Sequence, residues 1–300
     1  MREVLQVFNR RYPFVKVEYM EASTEVRREK VLFAAKRGEA LTDLIFNLGN
    51  LEDYIKAGVL SDLRDIPMWK RYAADLKHEN YIGFNIKYWS VAYNRDSVNE
   101  KDIPKVWDDL LDPKWKGAIG VSRTAKPVIF AHLWAFWGAE RTTAYMRKLF
   151  AANAQFRSEG TNALLKLTAA GELKFMIPGQ EYEAYKDERK GIPVSWVALD
   201  PLPAAAGDIV ILRSTPRLPG AKLFLNWLLT KEGQRIYSKV TAIAPAHPEL
   251  RGELVAYPEK IREKIKAGKV IFRTLEMVEK LLTRDGALEQ VWNEVTLKGL

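Results

Sequence analysis

Three hundred residues, 47% hydrophobic and 28% charged, suffice for one large domain or two medium ones and exclude a disordered chain. The absence of cysteine removes disulfides, thiolate metal sites and cysteine nucleophiles together. A net charge of +9 admits nucleic acid, an anionic surface or an anionic ligand, but the densest basic runs, Arg27-Arg28-Glu29-Lys30 and Lys260-Ile261-Arg262-Glu263-Lys264, are interleaved with acids and read as solvated helix faces.

In chain order, Met1 leads directly into a charged, helix-like segment over 2–10, with no signal-peptide pattern. Residues 14–19 alternate apolar with polar and predict a strand. A helix follows over 24–36, with Ser23 or Thr24 as its N-cap and Gly38 just past its end. Residues 43–47 form a short apolar strand running into Gly49 and Asn50. Asn50 caps the next helix, Asp53 lies in its first turn, and Gly58 stops it. Strand-like segments come at 81–84 and 90–94. The stretch 96–117, punctuated by Pro104, Pro113 and Gly117, reads as a connection with one short helix over 107–111.

A second series opens with a strand at 118–121 and continues with helices over 127–138, 140–152 and 161–170. Strands follow near 174–177, 194–197 and 209–212. A helix over 220–229 places Leu223, Phe224, Trp227 and Leu228 on one face. Beyond about residue 260 the chain reads as charged amphipathic helix. Strands alternating with helices at this spacing predict an α/β sheet covered by helices. No apolar run reaches the ~20 residues that span a bilayer.

The sequence has no P-loop, no G-x-G-x-x-G, no H-E-x-x-H and no G-x-S-x-G. His78, His132 and His247 are scattered. His132, beside Leu133 and Trp134, reads as a packing or surface residue. Asp108 and Asp109 read as a helix start with solvated charge. Zinc-finger spacing and RNP-type aromatics are absent, so no nucleic-acid partner is expected. Neither catalysis nor a cofactor is expected.

The connection carries the most specific pattern. Val91-Ala92-Tyr93-Asn94-Arg95-Asp96, followed by Ile103-Pro104-Lys105-Val106-Trp107-Asp108-Asp109-Leu110-Leu111-Asp112-Pro113-Lys114-Trp115-Lys116-Gly117, resembles the family-1 extracellular solute-binding proteins of ABC transporters, nearest the ferric-ion-binding branch. The Phe8…Tyr12-Pro13…Val17-Glu18 step, the Thr42-Asp43-Leu44-Ile45 strand and the Gly171-Glu172 turn are similar to the family's in the same order. So is the 220–234 segment, with its Ala221-Lys222-Leu223-Phe224 and Glu232-Gly233-Gln234. The resemblance implies a two-lobed type II periplasmic-binding-protein fold with residues 1–94 and 207–256 in lobe one, 95–206 and 257–300 in lobe two, and a ligand cleft between them. It implies a monomer that delivers a small molecule or ion to permease subunits, periplasmic or extracellular in its native form. Members usually begin with an apolar strand ahead of the Tyr-Pro helix. Here Met1 already lies in that helix, so the sequence starts downstream of the usual beginning or was trimmed, and an upstream leader is expected.

Open α/β sheets bind ligands beyond the carboxyl ends of their strands, where helix N-termini offer free N–H groups. Such ends supply Thr24, Asn47, Gly49, Asn50, Ser122, Arg123, Thr124, Ser158 and Thr161 as candidate ligand residues, with Tyr93 added from the hinge side. Hydroxyls, an arginine and helix starts favour an anion, although Ser122, Thr124 and Thr161 also read as ordinary caps. Ferric members of the resembling family place two tyrosines about ten residues after the Gly-Glu turn; Glu181 and Tyr182 stand there, and oxygen donors of this kind suit a hard trivalent ion. The expectation is a small anionic solute, with ferric ion as the alternative. An α/β enzyme acting on a small anionic substrate is the rival from another class.

Overall fold

A computed structural model of the chain describes residues 1–20, 24–48, 51–122, 128–152, 154–283 and 285–297. Its elements, in chain order, begin with helix α1 (Arg2–Arg11), helix α2 (Thr24–Lys36), strand β1 (Leu44–Phe46), helix α3 (Leu51–Lys56) and strand β2 (Ile82–Asn94). Strand β3 (Ile119–Ser122), helices α4 (Val128–Trp137) and α5 (Ala139–Ala152), strand β4 (Ala154–Arg157), helix α6 (Thr161–Ala169), strand β5 (Phe175–Gln180) and helix α7 (Glu181–Arg189) come next. Strands β6 (Val194–Val197) and β7 (Leu202–Ile211) lead to helices α8 (Leu218–Leu228) and α9 (Lys231–Thr241) and strand β8 (Ala244–Pro245). Helix α10 (Pro258–Lys266), strand β9 (Val270–Phe272) and helices α11 (Leu275–Leu281) and α12 (Ala287–Leu297) complete the chain.

The chain divides into two units, one formed by 1–86 and 206–255, the other by 87–205 and 256–300. It passes from one to the other within β2, within β7 and again after Val255. The first passage therefore falls between Ile86 and Lys87, inside a strand, and not after Asn94 as expected. The segments at 81–84 and 90–94 are one strand, and its linking residues Asn85, Ile86 and Tyr88 are buried as well.

In unit one, β1 pairs antiparallel with the end of β7 (Ile45 opposite Val210), and the start of β2 pairs with β8 (Asn85 opposite Pro245). Helix α1 buries Val4 and Phe8, and Phe8 meets Phe224 edge-on at 4.9 Å between ring centres. A second cluster gathers Val31, Ile45, Leu48, Leu51, Tyr54, Leu60, Val210 and Leu212. The strand expected at 14–19 does not form. Alternation stabilises a strand only where a ladder partner and a buried face exist, and Phe14 is 77% exposed.

In unit two, β3 lies between β4 and β5, parallel to both, and β5 pairs antiparallel with β2 (Trp89 opposite Gln180, Tyr93 opposite Phe175). Strand β6 pairs with β2 on Val91–Asn94, and β9 lies parallel to the start of β7. Strand β9 interrupts the expected helical tail, and β4 was not expected, since Ala-Gln-Phe-Arg alternates over only four residues and has no β-branched residue. Strand β5 runs on past the expected 174–177 through Pro178 and Gly179. A Cβ on Gly179 would sit 2.2 Å from the Ala92 nitrogen, so glycine is what permits the two strands to approach. The connection forms short 3₁₀ turns. Trp107 and Trp115 are buried in the core, the Trp107 Nε1–H donates to the Pro201 carbonyl at 3.0 Å, and the Tyr145 hydroxyl donates to the Trp107 carbonyl. Asp109 accepts from the backbone N–H of Lys105 and Val106 and opens the turn at Trp107–Leu111, which fits its reading as a helix start. Among the described residues no helix is long and apolar enough to cross a membrane.

Candidate functional site

Each unit brings polar groups to the carboxyl ends of its strands. In unit one, β1 ends at Phe46, and Asn47 takes a left-handed conformation (φ 50°), which Asn tolerates better than most residues. The Asn47 N–H donates to the Asp208 carbonyl at 2.7 Å, and the Leu48 N–H donates to the Asp208 carboxylate at 3.3 Å. From α2, Arg27 Nη2 donates to the carbonyls of Asn47 (2.8 Å) and Leu48 (3.2 Å), while its Nε is buried without a partner. Beneath this turn Asn85 is fully buried. Its Nδ2 donates to the Tyr237 hydroxyl at 3.2 Å and its Oδ1 has no partner. Burial pushes the Tyr237 phenol far up, with Asn85 opposing. A Cβ on Gly207 would lie 2.2 Å from Asn47 Oδ1 and 2.4 Å from Asn85 Oδ1, so both carboxamides close over a glycine.

In unit two, the parallel pair β3 and β5 ends at Ser122 and Gln180. The Ser122 hydroxyl donates to the Glu159 carbonyl at 2.8 Å, and Gln180 Nε2 donates to the Thr161 hydroxyl at 3.2 Å. The Thr161 hydroxyl is not the cap of its helix. Gly160 occupies the N-cap of α6, which places Thr161 one residue inside the helix with its side chain free to reach β5. Ser158 is exposed beside Glu159, whose carboxylate the Arg157 guanidinium holds below its usual range.

Glu181, the first residue of α7, is 1% exposed. One of its oxygens accepts from the Tyr88 N–H at 2.9 Å and the other has no partner. Burial pushes this carboxyl up to about 8, against the pull of backbone N–H groups and of the Lys87 charge. Tyr182 is half-buried, with Lys186 Nζ 5.4 Å from its ring centre.

Ser122, Thr161 and Glu181 thus share one end of unit two, with Ser158 in the loop between β4 and α6, and Asn47 sits at the corresponding strand end of unit one. Tyr93 does not join them. Because β2 runs antiparallel to β5, Tyr93 stands opposite Phe175, the first residue of β5, at the far end of the sheet. It packs in the core at 6% exposure, where burial raises its phenol and Ser195 opposes. Tyr88 and Trp89 occupy the strand end instead; Trp89 reads from the sequence as a packing residue and does pack against the core, and sequence reasoning missed Tyr88. It also missed Gln180, hidden behind a Pro-Gly pair, and Arg27, which it assigned to a solvated helix face. Gly49, Asn50, Arg123 and Thr124, like the cap position Ser23, lie outside the described residues, as does the side chain of Thr24, which opens α2.

His132 is buried between Val128 and Ala204, with its ring nitrogens 2.7 and 3.1 Å from their carbonyl oxygens, and burial lowers it to about 4. A neutral ring can donate to only one of these carbonyls, and the contact of Nε2 with Ala204 joins α4 to β7. Among the described residues no three His, Cys, Asp or Glu side chains gather as a metal set.

The family model described as bacterial extracellular solute-binding protein matches residues 3–261. The chain belongs to this family. Among relatives, an uncharacterised protein of Haemophilus influenzae is 27% identical over 52% of this chain and 44% of its own length. A putative 2-aminoethylphosphonate-binding periplasmic protein of Salmonella typhi is 26% identical over 54% of this chain and 50% of its own. The chain spans about half the length of the curated relatives it matches. Among solved structures, the substrate-binding protein of an Agrobacterium tumefaciens ABC transporter aligns with a TM-score of 0.79 at 15% identity, covering 97% of this chain and 89% of that one. Iron-bound HitA of Pseudomonas aeruginosa aligns at 0.69 and 19% identity, covering 99% and 95%. The fold is that of the type II periplasmic binding proteins, as the family resemblance implied.

Proposed function

We propose that this chain captures a small anionic solute and delivers it to the membrane permease of an ABC importer, without chemistry of its own, outside the cytoplasmic membrane in its native form. The family match over residues 3–261 carries the reading. The anionic character is supported by the strand ends, where the start of α6, the Thr161 hydroxyl and the Arg27 guanidinium offer donors and positive potential. The naming of a relative for 2-aminoethylphosphonate points the same way. Ferric ion is less well supported, because Glu181 faces the interior of unit two and accepts from Tyr88, leaving one phenol, Tyr182, from the expected pair.

A melting-temperature screen against phosphate, phosphonates, carboxylates, sugars, polyamines and ferric salts tests this. The cognate solute at ~100 times its Kd stabilises the fold by ~2.7 kcal/mol through mass action and is recovered unchanged. No stabilising solute in the screen, or conversion of the bound solute to product, refutes the reading. A visible charge-transfer band with ferric salts that Tyr182→Phe abolishes would establish the iron alternative instead.

A further inference from the structure

We infer that Arg27 is the residue with which unit one grips the anionic group of the solute, a phosphate, phosphonate or carboxylate. The inference rests on the solute-binding reading and adds to it a counter-charge that neither the family motifs nor the relatives assign.

Arg27 and Arg28 are neighbours on α2, but their surroundings differ. The Arg28 guanidinium pairs with the Asp53 carboxylate at 2.7 Å. Arg27 is half-buried, and no carboxylate among the described residues pairs with it. Its Nη2 is held by two neutral acceptors, the carbonyls of Asn47 and Leu48, and its Nε is buried without a partner. The carboxylate that reaches this strand end, Asp208, is engaged by the Leu48 N–H. Tyr54, fully buried, stands beside Arg27, and the cation opposes the rise that burial gives its phenol.

A guanidinium with five N–H donors, partly withdrawn from water and with no carboxylate partner among the described residues, bears a desolvation cost that its two carbonyl contacts only partly offset. An oxyanion would offset it through charge-assisted, fork-shaped hydrogen bonds. The two carbonyls also fix where the charge sits, at the carboxyl end of β1, where open α/β sheets receive ligands. A purely structural tie between α2 and this turn would be made as well by a neutral amide donor, and that difference is measurable.

The test uses the full chain with Arg27→Gln, which keeps donors for the two carbonyls, and Arg27→Lys, which keeps the charge. Inorganic phosphate is titrated into each by calorimetry at several salt concentrations, beside any solute found in the screen. The expected result is phosphate binding that Arg27→Gln weakens by about tenfold or more. Arg27→Lys should recover part of that loss, and the salt dependence should flatten in the glutamine variant. Phosphate that fails to bind the parent, or binds Arg27→Gln equally well, overturns the inference. A screened anion that binds parent and Arg27→Gln alike overturns it while leaving the solute-binding reading standing. Arg27-dependent phosphate binding with no transported solute does the reverse. Should Arg27→Gln not fold, phenylglyoxal labelling of the parent decides: phosphate protects Arg27 from modification if the inference holds, and leaves its labelling unchanged if it does not.

Discussion

Replacing Glu181 with glutamine should change how the stability of this protein depends on pH. In the folded chain the Glu181 carboxyl is buried and its proton is released only near pH 8, against a usual value of 4.5. Between these values the folded state holds a proton that the unfolded state has lost, so stability falls as pH rises through the window and levels off above about 8. Glutamine keeps the shape and an acceptor for the Tyr88 N–H but cannot titrate. Working the two titrations between about pH 5.5 and about pH 8, the variant should gain roughly 3 kcal/mol on the parent, at ~1.4 kcal/mol per pKa unit. Urea unfolding of both proteins at the two pH values measures this. Taking the difference between proteins cancels the histidines, of which His132 is lowered to about 4 and His247 is also lowered by burial. A change in the gap of less than about 0.5 kcal/mol would refute the argument. It would mean that Glu181 is ionised in the folded protein, with the backbone N–H groups and Lys87 outweighing burial.

Gly207→Ala should destabilise unit one by ~1–3 kcal/mol, because the new methyl lands 2.2 Å from Asn47 Oδ1 and 2.4 Å from Asn85 Oδ1; urea midpoints that do not move would show that the carboxamides rearrange freely. Thr230→Ala should cost ~1 kcal/mol, since the Thr230 hydroxyl accepts from the Gly233 N–H at 3.2 Å and caps α9, and Thr230→Ser should restore most of that loss. Trp107→Phe removes the donor to the Pro201 carbonyl at a position 1% exposed and should lower stability by ~1–3 kcal/mol, readable as an earlier unfolding transition followed by tryptophan fluorescence.

The α/β layout was legible because it rests on strong local signals. Gly38 (φ 75°) and Gly58 (φ 64°) end α2 and α3 in the left-handed conformation that glycine adopts without strain, and apolar runs such as Ile209–Leu212 mark buried strands. The misses are places where the deciding partner is distant in sequence. Residues 14–19 have strand alternation but no ladder. The 154–157 stretch alternates over only four residues, with Phe156 its single strong strand former, and β3 supplies the parallel partner that makes it a strand. The unbroken β2 was hidden by Asn85, whose polarity looks like an interruption until Tyr237 is seen to accept from it. Local periodicity cannot report any of these.

Less of the site was legible, and strand direction explains why. From sequence, Tyr93 and Glu181 both border apolar strands and look equally placed. Register separates them: Trp89 lies opposite Gln180, so each further residue along β2 moves away from the carboxyl end of β5 until Tyr93 faces Phe175 at the other end. An antiparallel neighbour contributes its early residues to the ends where its partners finish, which brings Tyr88 and its N–H to Glu181. The same logic applies to charge. Arg27 and Arg28 are indistinguishable in a basic run, and only the position of Asp53 shows that one of them is neutralised. Arg27 instead sits on the two carbonyls that close β1. Paired charges on a helix face add little beyond solubility. A half-buried arginine with no carboxylate partner among the described residues, held at a strand end, is the arrangement that an incoming anion completes.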